Sequence, residues 1–575
     1  MPSCFMLVSR CFFCYDVSDK MDILKKGNCR MKRISALILT LSMLLTLTAC
    51  GKTVAPEEDP RVQEILSNAE ARRQAILNSE TAIIKSDTYV IGETYTGTAY
   101  YISNSGDDGN DGRSPETAWA TLDRVNQADL QYGDAVFFER GGIWRSTTVE
   151  TRPGVTYSAY GEGAKPRICA SPENGGGTER WSLWWEGGKG EKIWLYHRDM
   201  PDCGAIVLNE EKVTQKILGF WDGRQYLNYI GPNNQNDDDF NTEEQMSQPV
   251  FDVKKQLSAD LTFFSQADSE LPDALPIFLT GWNADESCYA QTSVGPLYFR
   301  CDEGNPGEIF QNIEFQTHTP LFDGIAEDCA LDNLFVGFAG DGCINATEGE
   351  NVVIQNCEVG WIGGIVGSYN TGAITGYGPG IQRLAGALGA RANGAKIINN
   401  YVHDMYHAGG GIEIFQEQND KLQCSTDISF IGNLFYHCAS GVTFFNWDKE
   451  PNPEHQFKNC TYEDNYVMFT GTESWMDSGY APAFVHEGGP NMQEGCSVRN
   501  NVFFVARTAL VYVEQYDSTY FPEFSGNTYS QYKDYPFILC ESREESEVFS
   551  IEAAQSFLQD NEGTFISLSK LPDGL

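Results

Sequence analysis

Residues 395–416 read AKIINNYVHDMYHAGGGIEIFQ, a pattern that recurs along much of the chain. Apolar and polar residues alternate up to Ile397, and the pair Asn399-Asn400 marks a turn. Alternation resumes at Tyr401, and three glycines precede a last alternating run over residues 412–414. A period of two is typical of β-strands, and Asn and Gly are typical of the turns between them. The stretch therefore predicts three short strands in one unit.

The same arrangement, an Asn after a short apolar run, recurs at eight positions: Asn312, Asn333, Asn356, Asn400, Asn433, Asn465, Asn501 and Asn527. The first two intervals are 21 and 23 residues, and the later ones range from 26 to 44. A minimum of this size predicts a solenoid in which each unit is one coil and the longer units carry insertions. The interval of 44 is either two coils or one coil with a large loop. Asn suits such a place because it tolerates left-handed backbone angles and its amide can bond to the next coil.

Composition agrees with a turn-rich β protein. The chain has 575 residues with 56 Gly, 33 Phe and 27 Tyr, and only 21% of its residues are charged. This length is sufficient for one elongated solenoid that buries a continuous core. The net charge of −40 argues against nucleic acid or an anionic membrane surface as the partner, because phosphate binding needs clustered cations. It also weighs against a strongly polyanionic substrate.

The N-terminal region carries an export signal. Residues 31–50 read MKRISALILTLSMLLTLTAC, with a basic start, an apolar centre and small residues before Cys50. The last four resemble the lipobox of bacterial lipoproteins, which implies a signal peptide over 31–49, lipidation of Cys50 and an exported protein anchored at the cell surface. A transmembrane anchor is the alternative, but residues 34–49 are short for a span of about 20 residues. Residues 1–30 do not fit in front of such a signal, which indicates translation from Met31.

Residues 50–95 are predicted to form a stalk and one amphipathic helix. Helical spacing is followed by Val62, Ile65, Leu66, Ala69, Ile76 and Leu77, so residues 60–85 are predicted to form this helix. Its expected use is as a spacer or as a lid on the N-terminal end of the solenoid.

Three segments then carry a resemblance: AYYISNSGDDGNDGRSPETAWATL at 99–122, GDAVFFERGGIWR at 133–145 and PGVTYSAYG at 153–161. They resemble the N-terminal entry of bacterial right-handed parallel β-helix proteins of the pectate-lyase-like class. The resemblance implies polysaccharide lyases and glycoside hydrolases, which bind sugar chains in a groove beside one parallel sheet. Asp107, Asp108 and Asp111 could hold Ca²⁺ through carboxylate oxygens. The alternative is a turn held by bonds from these side chains to the backbone.

The predicted organisation follows from where this pattern starts and stops. Residues 96–177 are the entry and first coils, 178–308 an inserted all-β subdomain, 309–535 the main coils and 536–575 a C-terminal cap. The aromatics of the insertion could stack on sugars, but filling a small core is the commoner role. Twelve cysteines follow Cys50 without a CxxC pair, so a zinc site is not expected.

The third strand of each unit offers candidate site residues. Aligned on a small residue, these strands send Ile381, Ile412 and Val442 to the core. Gln382, Glu413 and Thr443 are then expected to stack on the outer face, about 4.8 Å apart from coil to coil. Glu413 is the first choice for a catalytic carboxylate, and a solvated strand residue is its alternative.

Further candidates lie close to that strand in sequence. Asp404 and His407 precede it, Arg383 lies in the preceding unit, and His486-Glu487 lies in a later one. Glu413 with Asp404 could form the carboxyl pair that glycoside hydrolysis uses. His407 or Arg383 with an acidic cluster could instead serve lyase chemistry on a uronate, with Ca²⁺ as a possible cofactor. Gln382, Arg383, His486 and Glu487 are the expected substrate-binding residues. The sequence thus predicts a monomeric glycoside hydrolase on a polysaccharide or oligosaccharide, with a lyase or a non-catalytic glycan-binding protein as alternatives.

Overall fold

The computed structural model of the chain describes residues 59–201, 203–217, 219–221, 226–228, 253–265, 294–317, 319–322, 324–340, 342–345, 349–364, 381–386, 393–415, 423–446, 455–472, 481–489, 491–492, 495–544 and 546–569. These residues form a right-handed parallel β-helix, which confirms the predicted fold class. The predicted signal peptide and Cys50 lie outside the described residues. No helix of the described residues is long and apolar enough to cross a membrane.

Each complete coil contributes a strand to three parallel sheets. The first sheet contains Ala99–Ile102, Ala135–Glu139, Thr156–Tyr160, Ala330–Asp332, Val353–Gln355, Lys396–Ile398, Ser429–Ile431, Thr461–Glu463, Ser497–Arg499 and Glu523–Ser525. The second contains Ile143–Arg145, Arg167–Cys169, Phe335–Ala339, Glu358–Ile362, Tyr401–Phe415, Leu434–Asn446, Tyr466–Thr470, Val502–Ala506, Thr528–Tyr532 and Thr564–Leu568. The third adds Ile344–Asn345, Ile381–Gly386, Phe484–Glu487, Val511–Val513 and Ile538–Cys540. The long strands Tyr401–Phe415 and Leu434–Asn446 bend and run through both the second and the third sheet.

Five asparagines stack between the first and second sheets and join the coils. The backbone N–H and the side-chain amide of each donate to the side-chain oxygen of the next in the order Asn400, Asn433, Asn465, Asn501, Asn527, at 2.9–3.0 Å. The buried carboxylate of Asp560 accepts the same two bonds from Asn527 and ends the column. At the other end Asn400 accepts from the backbone of Cys357. This asparagine ladder satisfies buried polar groups that would otherwise destabilise the core.

The eight asparagines of the sequence pattern do not all have this role. Asn333 and Asn356 lie one residue earlier in their coils and adopt left-handed angles, with φ of 61° and 54°. Their equivalents in later coils include Asn399, Gly432 and Asn500, which share this backbone. Left-handed geometry and amide stacking are therefore divided between two adjacent positions. Asn312 belongs to neither column, since it precedes a strand that pairs mainly with Cys203–Leu208.

The predicted stacking of the third sheet is wrong by two residues. Gln382 pairs with Gly411, and Leu384 is the neighbour of Glu413. On the other side Thr443 also pairs with Gly411, and Phe445 is the neighbour of Glu413. Because residues 409–411 are all glycine, this strand can be aligned with its neighbours in two ways that differ by two residues. Both alignments send the same side chains outward, so alternation alone could not distinguish them. Gln382, Glu413 and Thr443 therefore do not form one polar row.

His486 points into the core rather than toward solvent, which corrects its assignment to substrate binding. It pairs in register with Phe444 and Val513, is 2% exposed, and lies 5.0 Å from the Phe521 ring. Neither ring nitrogen has a hydrogen-bond partner among the described residues. Burial in this apolar setting lowers the pKa of His486 to about 4.

This buried imidazole is expected to make the fold sensitive to acid. The pKa of His486 is about 4 in the folded state against an ordinary value of 6.5, so below pH 6.5 the unfolded chain binds the proton more tightly. Stability is then lost as the pH falls from 6.5 toward 4, by about 3 kcal/mol. His486→Leu should abolish this loss while leaving stability near pH 7 little changed. Urea unfolding at pH 7 and pH 5 measures the difference, and equal acid sensitivity of both proteins would contradict it.

Other elements lie outside the coils. An N-terminal helix, Pro60–Leu77, packs along the outer face of the second sheet through Val62, Ile65, Ala69 and Ile76. It covers Tyr401, Leu434 and Met468, so it is neither a spacer nor a lid on the end of the solenoid. The other helices of the described residues are Leu122–Asn126, Val253–Gln256, Pro306–Ile309 and Ile551–Leu558, with 3-10 turns at Pro115–Thr117 and Thr178–Arg180.

The inserted segment has its own sheet and core. That sheet contains Trp181–Glu186, Lys192–Tyr196, Leu297–Arg300, Thr262–Ser265 and Gln215–Lys216. Trp181, Tyr196 and Phe299 are buried in it, so these aromatics fill a core. A hairpin of Cys203–Leu208 and Lys212–Val213, the "insertion hairpin" below, joins the insertion to the β-helix by pairing with Ile313–Thr317. Smaller sheets pair Ile84–Lys85 with Thr94–Tyr95, Met200–Pro201 with Val294–Gly295, Gly219–Trp221 with Tyr226–Asn228, and Gln423–Thr426 with His455–Lys458 and Asn491–Met492.

Candidate active site

A cavity of about 440 Å³ opens over the second sheet, between the N-terminal helix and the insertion hairpin. It is lined by Leu66, Ala69, Glu70 and Arg73 of the helix, by residues 210–213 of the hairpin, and by Trp361, Tyr401, Asp404, Leu434, Tyr436, His437 and Met468 of the β-helix. A cavity of this size suits a small ligand or one or two sugar units of a chain. Three separate parts of the sequence therefore form one site.

A repeated backbone bend places Asp404 in the cavity wall. Consecutive second-sheet strands each have one residue in the left-handed region, with φ between 50° and 57°: Phe338, Trp361, Asp404, His437, Phe469 and Val505. Strand pairing skips this residue in each coil and resumes beyond it in the same register, so neighbouring coils share the bend. Residues without glycine's freedom adopt such angles at a cost, and they cluster at functional sites. In this column Asp404 lies between Trp361 and His437.

His403 holds the Asp404 carboxylate. Its Nδ1 lies 2.7 Å from Asp404 Oδ2, and its Nε2 lies 3.4 Å from Glu358 Oε1 on the preceding coil. The imidazole is 2% exposed, stacks on the Tyr401 ring at 4.3 Å and meets the edge of Trp361 at 4.5 Å. The second oxygen of Asp404 lies 3.9 Å from His437 Nδ1. Glu358, His403 and Asp404 thus form one chain of charged groups in which Asp404 faces the cavity.

Gly360 makes room for this arrangement. It pairs in register with His403, and a Cβ at position 360 would lie 2.3 Å from His403 Nε2. Any side chain there would push the imidazole away from Glu358. The absence of a side chain at Gly360 therefore allows His403 to lie over the preceding coil and to reach the carboxylate of Glu358.

The protonation of His403 follows from its two partners. Burial alone would lower the pKa of His403, but hydrogen bonding to Asp404 and Glu358 and their negative charges outweigh burial and raise it to about 9. The imidazole is therefore positively charged at neutral pH, between two carboxylates.

This charge is expected to make stability fall at alkaline pH. Because the pKa of His403 rises from 6.5 to about 9 on folding, its contribution is complete below pH 6.5 and is lost as the pH rises through 9. The loss amounts to about 3 kcal/mol. His403→Gln should remove this dependence. Urea unfolding at pH 6.5 and pH 9.5 tests it, and an equal decrease in both proteins would show that the imidazole is not charged in the fold.

The remaining charges of the wall are largely paired. Glu210 occupies a two-residue turn with Asn209, both at left-handed angles, and its carboxylate lies 2.6 Å from Arg167 Nη1. Glu70 lies 3.0 Å from Arg73 of the same helix. Arg167 and Arg73 are thus each matched by a glutamate, whereas Lys212 of the hairpin lines the cavity without an ion pair among the described residues.

The predicted site residues separate into different surroundings. Asp404 belongs to the cavity, whereas Glu413 lies in the third-sheet part of the same long strand. Glu413 is 6% exposed, and its carboxylate lies over Gly411, where a Cβ would collide with it. Glu413 and Asp404 therefore lie on different sheets, which contradicts the predicted pair. His407 is half-buried at the irregular pairing between Met405 and Ala408.

The other substrate-binding candidates lie in the third sheet. Arg383 pairs with Ile412, and the side chains of Gln382 and Arg383 lie outside the described residues. Glu487 is half-buried and pairs with Phe445. The sequence reasoning missed Glu358, His403, His437 and Trp361. Alignment of the second strand of each unit could have found them, because Glu358 and His403 lie on the outer face of that strand and Trp361 and His437 lie at its bend.

The proposed calcium ligands are engaged in a turn. Asp107 accepts from the backbone of Gly109, Asp108 from those of Ala120 and Thr121, and Asp111 from that of Arg113. The last of these bonds, with one from Thr117, lowers the pKa of Asp111. These oxygens cap the turn instead of converging, and the described residues contain no group of three or more His, Cys, Asp or Glu that could hold a metal ion.

Comparison with known proteins gives limited likeness. No family model matches the chain. A segment is 34% identical over 99 residues to the lacto-N-biosidase of Bifidobacterium longum subsp. longum, covering 15% of this chain and 6% of that enzyme. Among solved structures, a GH136 lacto-N-biosidase from Eubacterium ramulus is 13% identical, with 82% of this chain and 68% of that chain covered and a TM-score of 0.31. A rhamnogalacturonan lyase is 10% identical, with 76% and 75% covered and a TM-score of 0.34. These likenesses assign no activity to the chain.

Proposed function

We propose that this chain is a carbohydrate-active enzyme that hydrolyses a glycosidic bond in a neutral oligosaccharide or polysaccharide bound over the second sheet. The observation that carries the proposal is the position of Asp404, which is held by a buried charged imidazole and faces a cavity with aromatic walls. The segment that is 34% identical to a lacto-N-biosidase supports the same class of enzyme.

Asp404 is the proposed catalytic carboxylate. Hydrolysis of a glycoside uses two carboxyl groups on either side of the bond. Glu358 cannot be the partner across the bond, because the His403 ring fills the space between Glu358 and Asp404. Glu70 and Glu210 line the opposite wall and are the available partners. The role of His403 is then to orient Asp404, as a second residue commonly orients a catalytic group.

The paired charges favour hydrolysis over lyase chemistry. A lyase must neutralise the uronate carboxylate with a cation or a metal ion, and it needs a base at the sugar ring. Arg73 and Arg167 are each matched by a glutamate, which leaves Lys212 of the hairpin as the wall cation without an ion pair among the described residues, and these residues include no cluster that could hold a metal ion. Tyr401, Tyr436 and Trp361 instead provide the apolar surface against which neutral sugar rings pack.

The proposal includes export and a lipid anchor at Cys50, supported by the signal-like residues 31–50. The N-terminal helix begins at Pro60, so few residues would separate the anchor from the wall of the site. Growth with radiolabelled palmitate tests the anchor. Label in the wild type that is lost in Cys50→Ala is the expected result.

One assay separates the three candidate functions. The purified chain is incubated with neutral polysaccharides, uronate-containing polysaccharides and a panel of 4-nitrophenyl glycosides. New reducing ends or nitrophenol without the ultraviolet absorbance of unsaturated uronates is the expected result. Absorbance would instead support the lyase, and binding to glycans without either product would support a non-catalytic binding protein.

A further inference from the structure

The N-terminal helix brings a cation into the wall of the cavity. Arg73 and Glu70 line the cavity from this helix, whose residues Val62, Ile65 and Ile76 pack on the second sheet. These apolar contacts fix the helix on a surface that belongs to the late coils. The position of Arg73 opposite Asp404 is therefore set by the fold and not by a surface loop.

Arg73 has hydrogen-bonding capacity that its neighbours do not use. Its Nη1 lies 3.0 Å from Glu70, and its guanidinium lies 5.6 Å from the centre of the Tyr401 ring. Its Nε is shielded from solvent and has no hydrogen-bond partner among the described residues. A guanidinium has five N–H donors, so several remain for a ligand in the cavity. Within the described residues the hydrogen bonds of Arg73 run from Nη1 to the Glu70 carboxylate, which leaves the Nη2 donors for a ligand.

We propose that Arg73 is a substrate-positioning residue, which donates hydrogen bonds to hydroxyl oxygens of the sugar unit bound beside Asp404. This inference rests on the proposed function. Glu70 already neutralises the charge of Arg73, so the fitting acceptors are the neutral hydroxyls of a sugar and not a uronate carboxylate. Arg73 lies over the Tyr401 ring, and the same ring stacks on His403, the imidazole that holds Asp404, so Arg73 and Asp404 line the cavity around one aromatic side chain.

Arg72 provides a matched control on the same helix. Its Nη1 donates to the backbone oxygen of Asp464, and its guanidinium lies 4.5 Å from the centre of the Tyr466 ring. It does not belong to the cavity wall. Arg72 therefore anchors the helix, whereas Arg73 faces the ligand.

The test compares kinetics of Arg73→Ala and Arg72→Ala in the full chain, with the 4-nitrophenyl glycoside that the wild type cleaves fastest. Loss of hydrogen bonds from a charged donor is expected to raise KM by about 10- to 100-fold in Arg73→Ala. Low concentrations of guanidinium chloride should restore part of its activity. Arg72→Ala should melt at lower temperature with an unchanged KM and no response to guanidinium. An unchanged KM in Arg73→Ala, or an equal rise in both variants, would overturn the assignment.

A binding measurement does not depend on turnover. Wild type and Arg72→Ala, applied to an array of neutral oligosaccharides, should give the same signals, and Arg73→Ala should lose them. Equal signals from all three proteins would overturn the assignment. The two proposals can also be refuted separately. An active Asp404→Asn variant would count against the catalytic site. An inactive Asp404→Asn variant, together with a normal KM in Arg73→Ala, would count against the role of Arg73 alone.

Discussion

Asp404→Asn is expected to lower kcat/KM by about a thousandfold or more while the fold is retained. The asparagine keeps an oxygen that can accept from His403, and it suits the left-handed backbone at this position. It cannot carry the charge or the proton that bond cleavage requires, and such groups typically contribute factors of about 10² to 10⁴. Release of nitrophenol from the best 4-nitrophenyl glycoside measures the effect, and circular dichroism checks the fold.

Asp427→Asn is the control for this substitution. Asp427 is an exposed aspartate with a similar left-handed backbone, φ 58°, at a turn that precedes the first sheet. Among the described residues its side chain accepts one hydrogen bond, from Asn459, which an asparagine can also accept. This variant should keep full activity. More than a tenth of wild-type activity in Asp404→Asn would remove Asp404 from the mechanism.

Asn465→Leu is expected to cause the largest loss of stability of the variants considered. Asn465 is 1% exposed, accepts two bonds from Asn433, and donates from its amide to Phe430 and Asn501. Leucine leaves several of these partners buried without a bond, at about 1–3 kcal/mol for each group. The expected decrease in the free energy of unfolding is about 4 kcal/mol, measured by urea unfolding.

Asn500→Gly tests whether the ladder, and not the turn, carries this stability. Asn500 lies one residue before the next ladder position, is exposed, and has a φ of 55° that glycine adopts freely. A change within about 0.5 kcal/mol is expected. If both variants lost the same stability, the left-handed turn would be the determining feature.

The sequence was sufficient for the fold and for part of the site. Alternating residues and recurring asparagines predicted the coils, because a buried amide at each turn leaves a visible mark. These patterns could not show that Asn333 and Asn356 belong to the left-handed turn and not to the asparagine ladder, since Asn is suited to both positions. Glu413 was misplaced because glycines 409–411 made two registers equivalent, and strand alternation is unchanged by a slip of two.

The cavity was beyond sequence reasoning for a different reason. Asp404 was identified, but the residues around it come from distant segments: Glu358, which contacts His403, from the preceding coil, and the lining residues Arg73 and Glu210 from the N-terminal helix and the insertion. Their meeting depends on how a helix packs across the coils. The role of His403 could not be predicted from its neighbours in sequence either, because it depends on the absence of a side chain at Gly360.

The packing of the N-terminal helix also has a consequence for how the molecule is made. Its apolar side belongs to the same cluster as Ile566 and Leu568, almost at the other end of the chain. During synthesis this apolar side stays uncovered until the coils with Tyr401, Leu434 and Met468 have been translated and have stacked, and the cluster is complete only with the last coil. Contacts between such distant segments form slowly, and the uncovered side is a site for misassembly until they do. A product truncated before residue 564 would therefore lack not only its last coil but also part of the apolar cluster that supports one wall of the cavity.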